Sequence, residues 1–332
     1  MDPITHGLVG SAAAQSLADK KNMRPAAFTG FISAMLADLD YFIHLPSDPL
    51  FNIEIHRHFT HSLIFIPVGA LIASGLLWWI MRRYFSFGKL YLFSLISYAT
   101  AGILDTFTSY GTMLLWPFTD TRFAWNMISV VDPIFTVLIA LILFGALYFR
   151  HKPYIWISWM WIVIYLTFGL IQRERATAAA LEITQVRGHQ VEKMDVKPTI
   201  GNLLLWRNTY EHADTFYTDG IRLRFFEGPK IYPGESAERV FPEEKYDDYM
   251  ASIQYYDIMR FDRLSEGYLI QHPHKSDVLG DARYSMLPVS MTPLWGIRVD
   301  MDQPKEHVTF HYFRDSSPEI REEFIKMLMA RD

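Results

Sequence analysis

The sequence predicts a polytopic α-helical membrane bundle of about six helices, followed by a C-terminal extracytoplasmic α+β domain. Three observations carry this prediction. Apolar runs crowd into the first 171 residues while the remainder is polar. The long runs each approach the roughly 20 residues a helix needs to cross the hydrocarbon layer. Lys and Arg fall in alternate connections between the runs, as the positive-inside rule requires of a chain that threads back and forth. Half of the 332 residues are hydrophobic, 15% are aromatic and only 20% are charged, which is too apolar for an ordinary soluble enzyme. A formal net charge of -5 without a sustained basic stripe argues against nucleic acid as a partner. With no cysteine, disulfides, zinc ribbons and thiol nucleophiles are excluded, and an oxidising compartment is weakly favoured.

The N-terminal stretch "MDPITHGLVGSAAAQSLADKK" is not a secretory signal, because its positive charges follow the apolar part. Asp2 before Pro3 reads as a cap with proline at the first helical position, so a helix begins near Pro3 and runs to Ala18. At 1.5 Å per residue it is about 24 Å long, a short or partial span of the roughly 30 Å layer. Five longer spans follow at about 26–45, 63–81, 90–108, 129–149 and 154–171. Lys20, Lys21 and Arg24, then Arg82, Arg83 and Lys89, then Arg150 and Lys152 mark cytoplasmic loops. The connections near 45–60 and 109–127 hold only Arg57 and Arg122 and face outward. Six crossings put both termini outside, giving a transmembrane domain over 1–175 and an extracytoplasmic domain over 176–332.

The polar domain opens with "RERATAAALEITQVRG", a helical stalk by propensity. Strand-like runs follow: "LLLWRNTYE", "TFYTDGIRLRFF" with a "TDG" turn signal inside it, "GYLIQ", "PLWGIRVDM" and "HVTFHYF". Helical pieces near 245–262 and 317–330 complete an α+β module that carries no repeat and no catalytic motif.

This topology brings the polar residues of the first half to one depth. His6 lies near the outer start of the first helix, Asp38 and Asp40 of "MLADLDYFIH" near the outer end of the second, and Asp105 of "GILDTFTSYGT" ends the fourth. "HRHFTHS" supplies His56, His58 and His61 directly before the third span. Ionisable groups beside membrane helices are expensive to bury, so a converging set of His and Asp is a functional site by default. Histidine with aspartate and no cysteine is the donor set of hydrolytic Zn²⁺ or Mn²⁺ sites. The positions read as ligands are His6, Asp38, Asp40, His56, His61 and Asp105, with Asp38, Asp40 and His61 as the catalytic set. His56 and His61, five apart, share a site only if His56 sits in the loop. Asp38 and Asp40 point to different sides of a regular helix, so one binds metal and the other orients a ligand histidine. Asp2 and Asp132 precede proline and read as helix caps, His44 and His58 as interfacial histidines, and Arg57 as a phosphate holder or a headgroup-facing arginine.

"MDPITHGLVG", "ADLDY", "HRHFTHS", "GILDTFTSYGTMLLWPF" and "VVDPIF", in this order and spacing, resemble the bacterial YdjM-like family of LexA-regulated, membrane-bound metal-dependent hydrolases. The resemblance covers roughly residues 1–175 and implies an inner-membrane location and a metal site at the same six residues. It also suggests a distant likeness to zinc-dependent phospholipase C. Family members read "ATHGILD" where this chain reads "ATAGILD", so Ala101 stands one helical turn before Asp105 in place of a histidine. Either the site holds fewer metals, or His58 or His44 compensates, or hydrolysis is lost. The expectation is a divalent-metal-dependent hydrolase, zinc or manganese, acting on a lipid-borne or interfacial ester, most readily a phosphoester. The alternatives are a non-catalytic membrane protein that uses a structural metal and presents its outer domain to a partner, and thirdly a transporter.

Overall fold

In the computed structural model, which describes residues 1–225 and 227–331, the chain divides into two units. The first comprises Met1–Ile43, Ile55–Ile171 and Ile200–Leu203; the second comprises His44–Glu54, Gln172–Thr199 and Leu204–Asp332.

In the first unit, helix α1 (Pro3–Leu17) starts where Asp2 Oδ1 accepts the Thr5 amide at 3.0 Å, with proline in the first turn. It lies against α2 (Met23–Met35), and the closeness has a residue-level cause. A Cβ built on Gly30 would stand 2.2 Å from the Gly10 carbonyl oxygen, so the two backbones approach as only glycine allows. Ser11 adds a hydrogen bond to the Ala27 carbonyl across that seam at 2.6 Å.

The expected span at 26–45 is not one helix. α2 stops at Met35 and the chain tightens into a 3-10 turn, Leu36–Phe42, that carries Asp38 and Asp40. Two residues apart on an α-helix point about 160° from each other, and on a 3-10 helix about 120°. The tighter winding lets both carboxylates be buried, as they are.

After α3 (Phe51–Ile55), α4 (Ile66–Met81) and α5 (Phe87–Thr106) form a hairpin, and α6 (Pro133–Phe149) begins at Asp132. Asp132 is a cap as expected: Oδ1 accepts the Phe135 amide at 3.1 Å and Oδ2 accepts the Tyr165 hydroxyl at 2.8 Å. α7 (Pro153–Arg187) fuses the expected last span and the stalk into one 35-residue helix, about 50 Å long. Among the described residues three helical segments are long and apolar enough to cross a membrane, Leu63–Met81, Phe87–Thr106 and Pro153–Arg187, and Pro133–Phe149 is a shorter apolar helix. Their outward faces carry Leu71, Leu76, Trp79, Leu141 and Phe144, all exposed, while Ala70, Ala73 and Leu77 are buried. Helices that are apolar on both faces need a nonpolar surround.

The second unit holds two antiparallel four-stranded meanders. The first is β1 (Lys193–Pro198), β2 (Leu205–His212), β3 (Thr215–Arg222) and β4 (Lys230–Glu238). After the short α8 (Pro242–Lys245) and α9 (Ile253–Leu264) comes the second, β5 (Leu269–His272), β6 (Lys275–Asp281), β7 (Trp295–Arg298) and β8 (Thr309–Tyr312), closed by α10 (Pro318–Leu328). Residues 44–54 belong here because Leu50 enters the core formed by Ile258, Phe261, Leu269, Leu279 and Ile297. Arg260 fixes the same segment, at 2.9 Å from Asp48 Oδ2 and 2.6 Å from Glu54 Oε2.

The "TDG" sequence does not turn. Thr218, Asp219 and Gly220 lie within β3, because Arg187 grips the Asp219 carboxylate with two bonds of 2.6 and 2.9 Å and satisfies it in place. The chain reverses instead at Ala213 and Asp214, both with positive φ, of 48° and 57°. The last residue of the expected run 215–226 lies outside the described residues. The helix expected from 245 begins at Ile253, where Ser252 Oγ accepts the Tyr255 amide at 3.0 Å.

Candidate metal centre

His6 on α1, Asp38 on the 3-10 turn, His61 at the end of a second 3-10 turn (Phe59–His61) and Asp105 on the last turn of α5 meet at one end of the helices. All four are buried, and donor atoms from each lie within 4.8 Å of one another. His6 Nε2 is 3.2 Å from Asp105 Oδ1 and 3.7 Å from Asp38 Oδ2. His61 Nε2 is 3.3 Å from Asp105 Oδ2 and 3.4 Å from Asp38 Oδ1. Ligands about 2.0–2.2 Å from a tetrahedral ion stand roughly 3.3–3.6 Å apart, and these separations scatter around that value. His6 Nε2, both Asp38 oxygens, His61 Nε2 and Asp105 Oδ2 are buried without a hydrogen-bond partner. Orphaned polar atoms that converge on a common space fit a divalent cation that would satisfy them together.

Asp40 and His56 stand beside this group and bind each other, Asp40 Oδ1 to His56 Nδ1 at 2.8 Å. Asp40 Oδ2 accepts the Arg57 amide at 2.9 Å, takes a short hydrogen bond from the Thr60 hydroxyl, and lies 3.4 Å from His61 Nδ1. A carboxylate behind one ring nitrogen leaves the other nitrogen aimed at a metal, so Asp40 is placed to orient His61. Burial alone would lower the His61 pKa, but the neighbouring carboxylates of Asp38, Asp40 and Asp105 overcome it and push it up to about 9.

Arg57 sits inside the site. It has φ 57° and is 3% exposed, its Nε is 3.0 Å from Asp105 Oδ2, and its guanidinium lies over the Tyr110 ring. The Met1 amine also contacts Asp105. The left-handed backbone at Arg57 is held because its carbonyl accepts from Met113 N and Thr112 Oγ1, each at 3.1 Å. His58 lies outside the four-residue group, its ring 5.4 Å from that of Trp116. Ala101 is fully buried, in an apolar cluster with Ala37 and Tyr98.

Two residues not singled out from the sequence build the site. Gly102 lets α5 approach the ligand loop, since a Cβ there would stand 2.2 Å from the His61 carbonyl oxygen. Tyr98 donates to the Thr60 carbonyl at 3.0 Å. The "AGILD" and "SYAT" stretches look like ordinary membrane-helix sequence, so only the fold reveals these roles.

Apolar helices of membrane-crossing length with a buried His and Asp group at one end define a membrane protein with a candidate divalent-metal centre. Residues 1–176 match the YdjM inner membrane protein family, and the chain belongs to it. It is similar to the inner membrane protein YbcI of Escherichia coli K12, 30% identical over 174 residues that cover 51% of this chain and 95% of the relative. It is also similar to the uncharacterized protein YfhP of Bacillus subtilis 168, 26% identical over 226 residues that cover 65% of this chain and 67% of that protein. No solved structure matches the chain. The family match ends a few residues beyond Ile171, where the first unit leaves α7.

Proposed function

We propose that the protein is a membrane-embedded, metal-dependent hydrolase acting at the outer membrane interface on a lipid-borne phosphoester or related ester, with zinc as the metal and manganese also suited to the donors. The observation that carries this reading is the buried group of His6, Asp38, His61 and Asp105, in which His6 Nε2, His61 Nε2 and both Asp38 oxygens have no hydrogen-bond partner. A divalent ion bound there supplies water of lowered pKa and neutralises developing phosphoryl charge. The residues around it have separable tasks. Asp40 holds His61 in orientation. Asp38, whose two carboxylate oxygens are buried without a hydrogen-bond partner, would serve as a metal ligand beside His6 and His61. Arg57 NH1 is buried with no hydrogen-bond partner, which suits a phosphoryl oxygen. Leu39, Tyr41 and Phe42, next to the two aspartates along the chain, are all exposed and offer an apolar surface suited to a lipid. The alternate loops rich in Lys and Arg support placing this end outside.

One observation favours a second reading, a structural metal in a non-catalytic protein: His6, His61 and Asp105 are no more than 1% exposed. Closed coordination is the habit of structural sites and an open position that of catalytic ones. Metal analysis of the detergent-purified chain, combined with headgroup release from phospholipid vesicles, separates the two. The hydrolase reading expects bound metal and release that both disappear in Asp38→Ala. Metal retained at full occupancy with no release from any phospholipid class favours the structural role, and no bound metal in wild type sinks both.

A further inference from the structure

We propose that the second unit carries a separate calcium site formed by Glu192, Glu211 and Asp214, where the start of β1 meets the β2–β3 turn. The three carboxylates each offer an oxygen, and these oxygens lie within 4.8 Å of one another. Grouped acids alone do not make a site; the second observation is Glu211. This residue is fully buried in β2, and its Oε2 has no hydrogen-bond partner although its carboxylate belongs to the same group as the other two acids.

The neighbouring groups do not account for that oxygen. Arg239 NH1 donates to Glu211 Oε1 at 2.7 Å and leaves Oε2 alone. The Ala213 amide donates to Glu192 Oε1 at 3.1 Å. Directly across the sheet from Glu211 stands Phe216, fully buried and apolar. Lys193, across the sheet from Glu211 on the β1 side, donates to the Glu266 carbonyl at 3.0 Å, so three carboxylates against the two cations Arg239 and Lys193 still leave an excess of negative charge around a desolvated oxygen. All the donors are oxygens, with no imidazole among them, which selects a hard cation. Calcium ligands lie about 2.3–2.6 Å from the ion, so opposite ones stand up to roughly 5 Å apart, and water completes the shell on the exposed side of Glu192 and Asp214.

Such an ion would fasten the turn to the adjoining strand. Glu192 N already donates to the Glu211 carbonyl at 3.0 Å and Arg239 N to the Asp214 carbonyl at 2.8 Å, so the backbones are in place before any cation binds.

The test is equilibrium dialysis of the full chain in detergent against radioactive calcium after chelator treatment. One calcium per chain is expected in wild type and in His61→Ala, with affinity at least tenfold weaker in Glu211→Gln and Glu192→Gln. Glu192 is exposed, so its variant keeps the test valid should Glu211→Gln misfold. No calcium on wild type, or unchanged affinity in both Glu variants, overturns the site. So does calcium lost in His61→Ala, which would assign it to the membrane unit. The proposal stands independently of the hydrolase reading.

Discussion

At the scale of single residues, the metal centre separates donors from supporters. His61→Ala and Asp38→Ala remove donors and should weaken metal binding by more than the roughly 10–100-fold expected for Asp40→Asn, which only frees an orienting contact. Asp132→Asn should leave metal content unchanged, because Asn caps a helix about as well as Asp; plasma mass spectrometry of the purified variants decides this. With its pKa near 9, His61 carries a proton at pH 7 in the metal-free protein. Metal uptake at pH 7 should therefore release close to one proton, detectable by calorimetry in buffers of different ionisation enthalpy, and the release should vanish above about pH 10. The sign follows for stability as well. A raised histidine pKa stabilises the metal-free fold below about pH 6.5, and that contribution fades as pH rises through 9.

Ala101 is more restrictive than the sequence implies. A histidine there would supply the residue that the family resemblance implies, but it would enter a sealed cluster against Ala37 and Tyr98. Ala101→His should cost about 1–3 kcal/mol through overpacking, visible as a lower melting temperature in detergent. The His and Asp donors were legible from residue type and topology, because such groups are scarce in apolar segments. Which of them meet was not. Spacing along the chain could not tell that Asp40 turns toward His56 while Asp38 turns toward His6 and His61, since that depends on the 3-10 winding of Leu36–Phe42.

At the scale of elements, α1 and α2 depend on two glycines. Gly30→Ala places a methyl 2.2 Å from the Gly10 carbonyl oxygen and should separate the helices at a cost of about 3 kcal/mol, moving His6 away from Asp38. The expected signature is lost metal together with lower stability, whereas an Ala substitution at Gly75, where a Cβ meets nothing within 4 Å, should change neither. The helices α1 and α6 were legible at their starts, because Asp-Pro is a strong local signal. The strands β1 and β4 were not. β1 reads "KMDVKP", yet its Lys197 and Asp195 are paired at 2.8 Å and Lys197 is buried; β4 contains Pro233 and Gly234 and still pairs along β3. Tertiary pairing replaces the alternation that local patterning looks for.

At the scale of the whole molecule, the arrangement of Lys and Arg is the argument for sidedness. Reporter fusions at residues 86 and 152 should behave as cytoplasmic and a C-terminal fusion as external. A cytoplasmic C-terminus would remove the one-sided placement of the ligands. The division into an apolar and a polar half was legible from composition, but the return of residues 44–54 to the second unit was not, since it depends on Leu50, Asp48 and Glu54 finding partners far along the chain.

That return has a consequence in time. Arg260, which holds Asp48 and Glu54, is separated from them by 212 and 206 positions. A ribosome adding about 5–20 residues per second takes roughly 10–40 s to cover that distance. Through that interval the segment between Asp40 and His56 has emerged while its partner has not been made. Synthesis stalled in the second unit would leave this stretch accessible to a protease, and brief pulse labelling should reveal cleavage near residue 50 only in chains that have not yet passed α9.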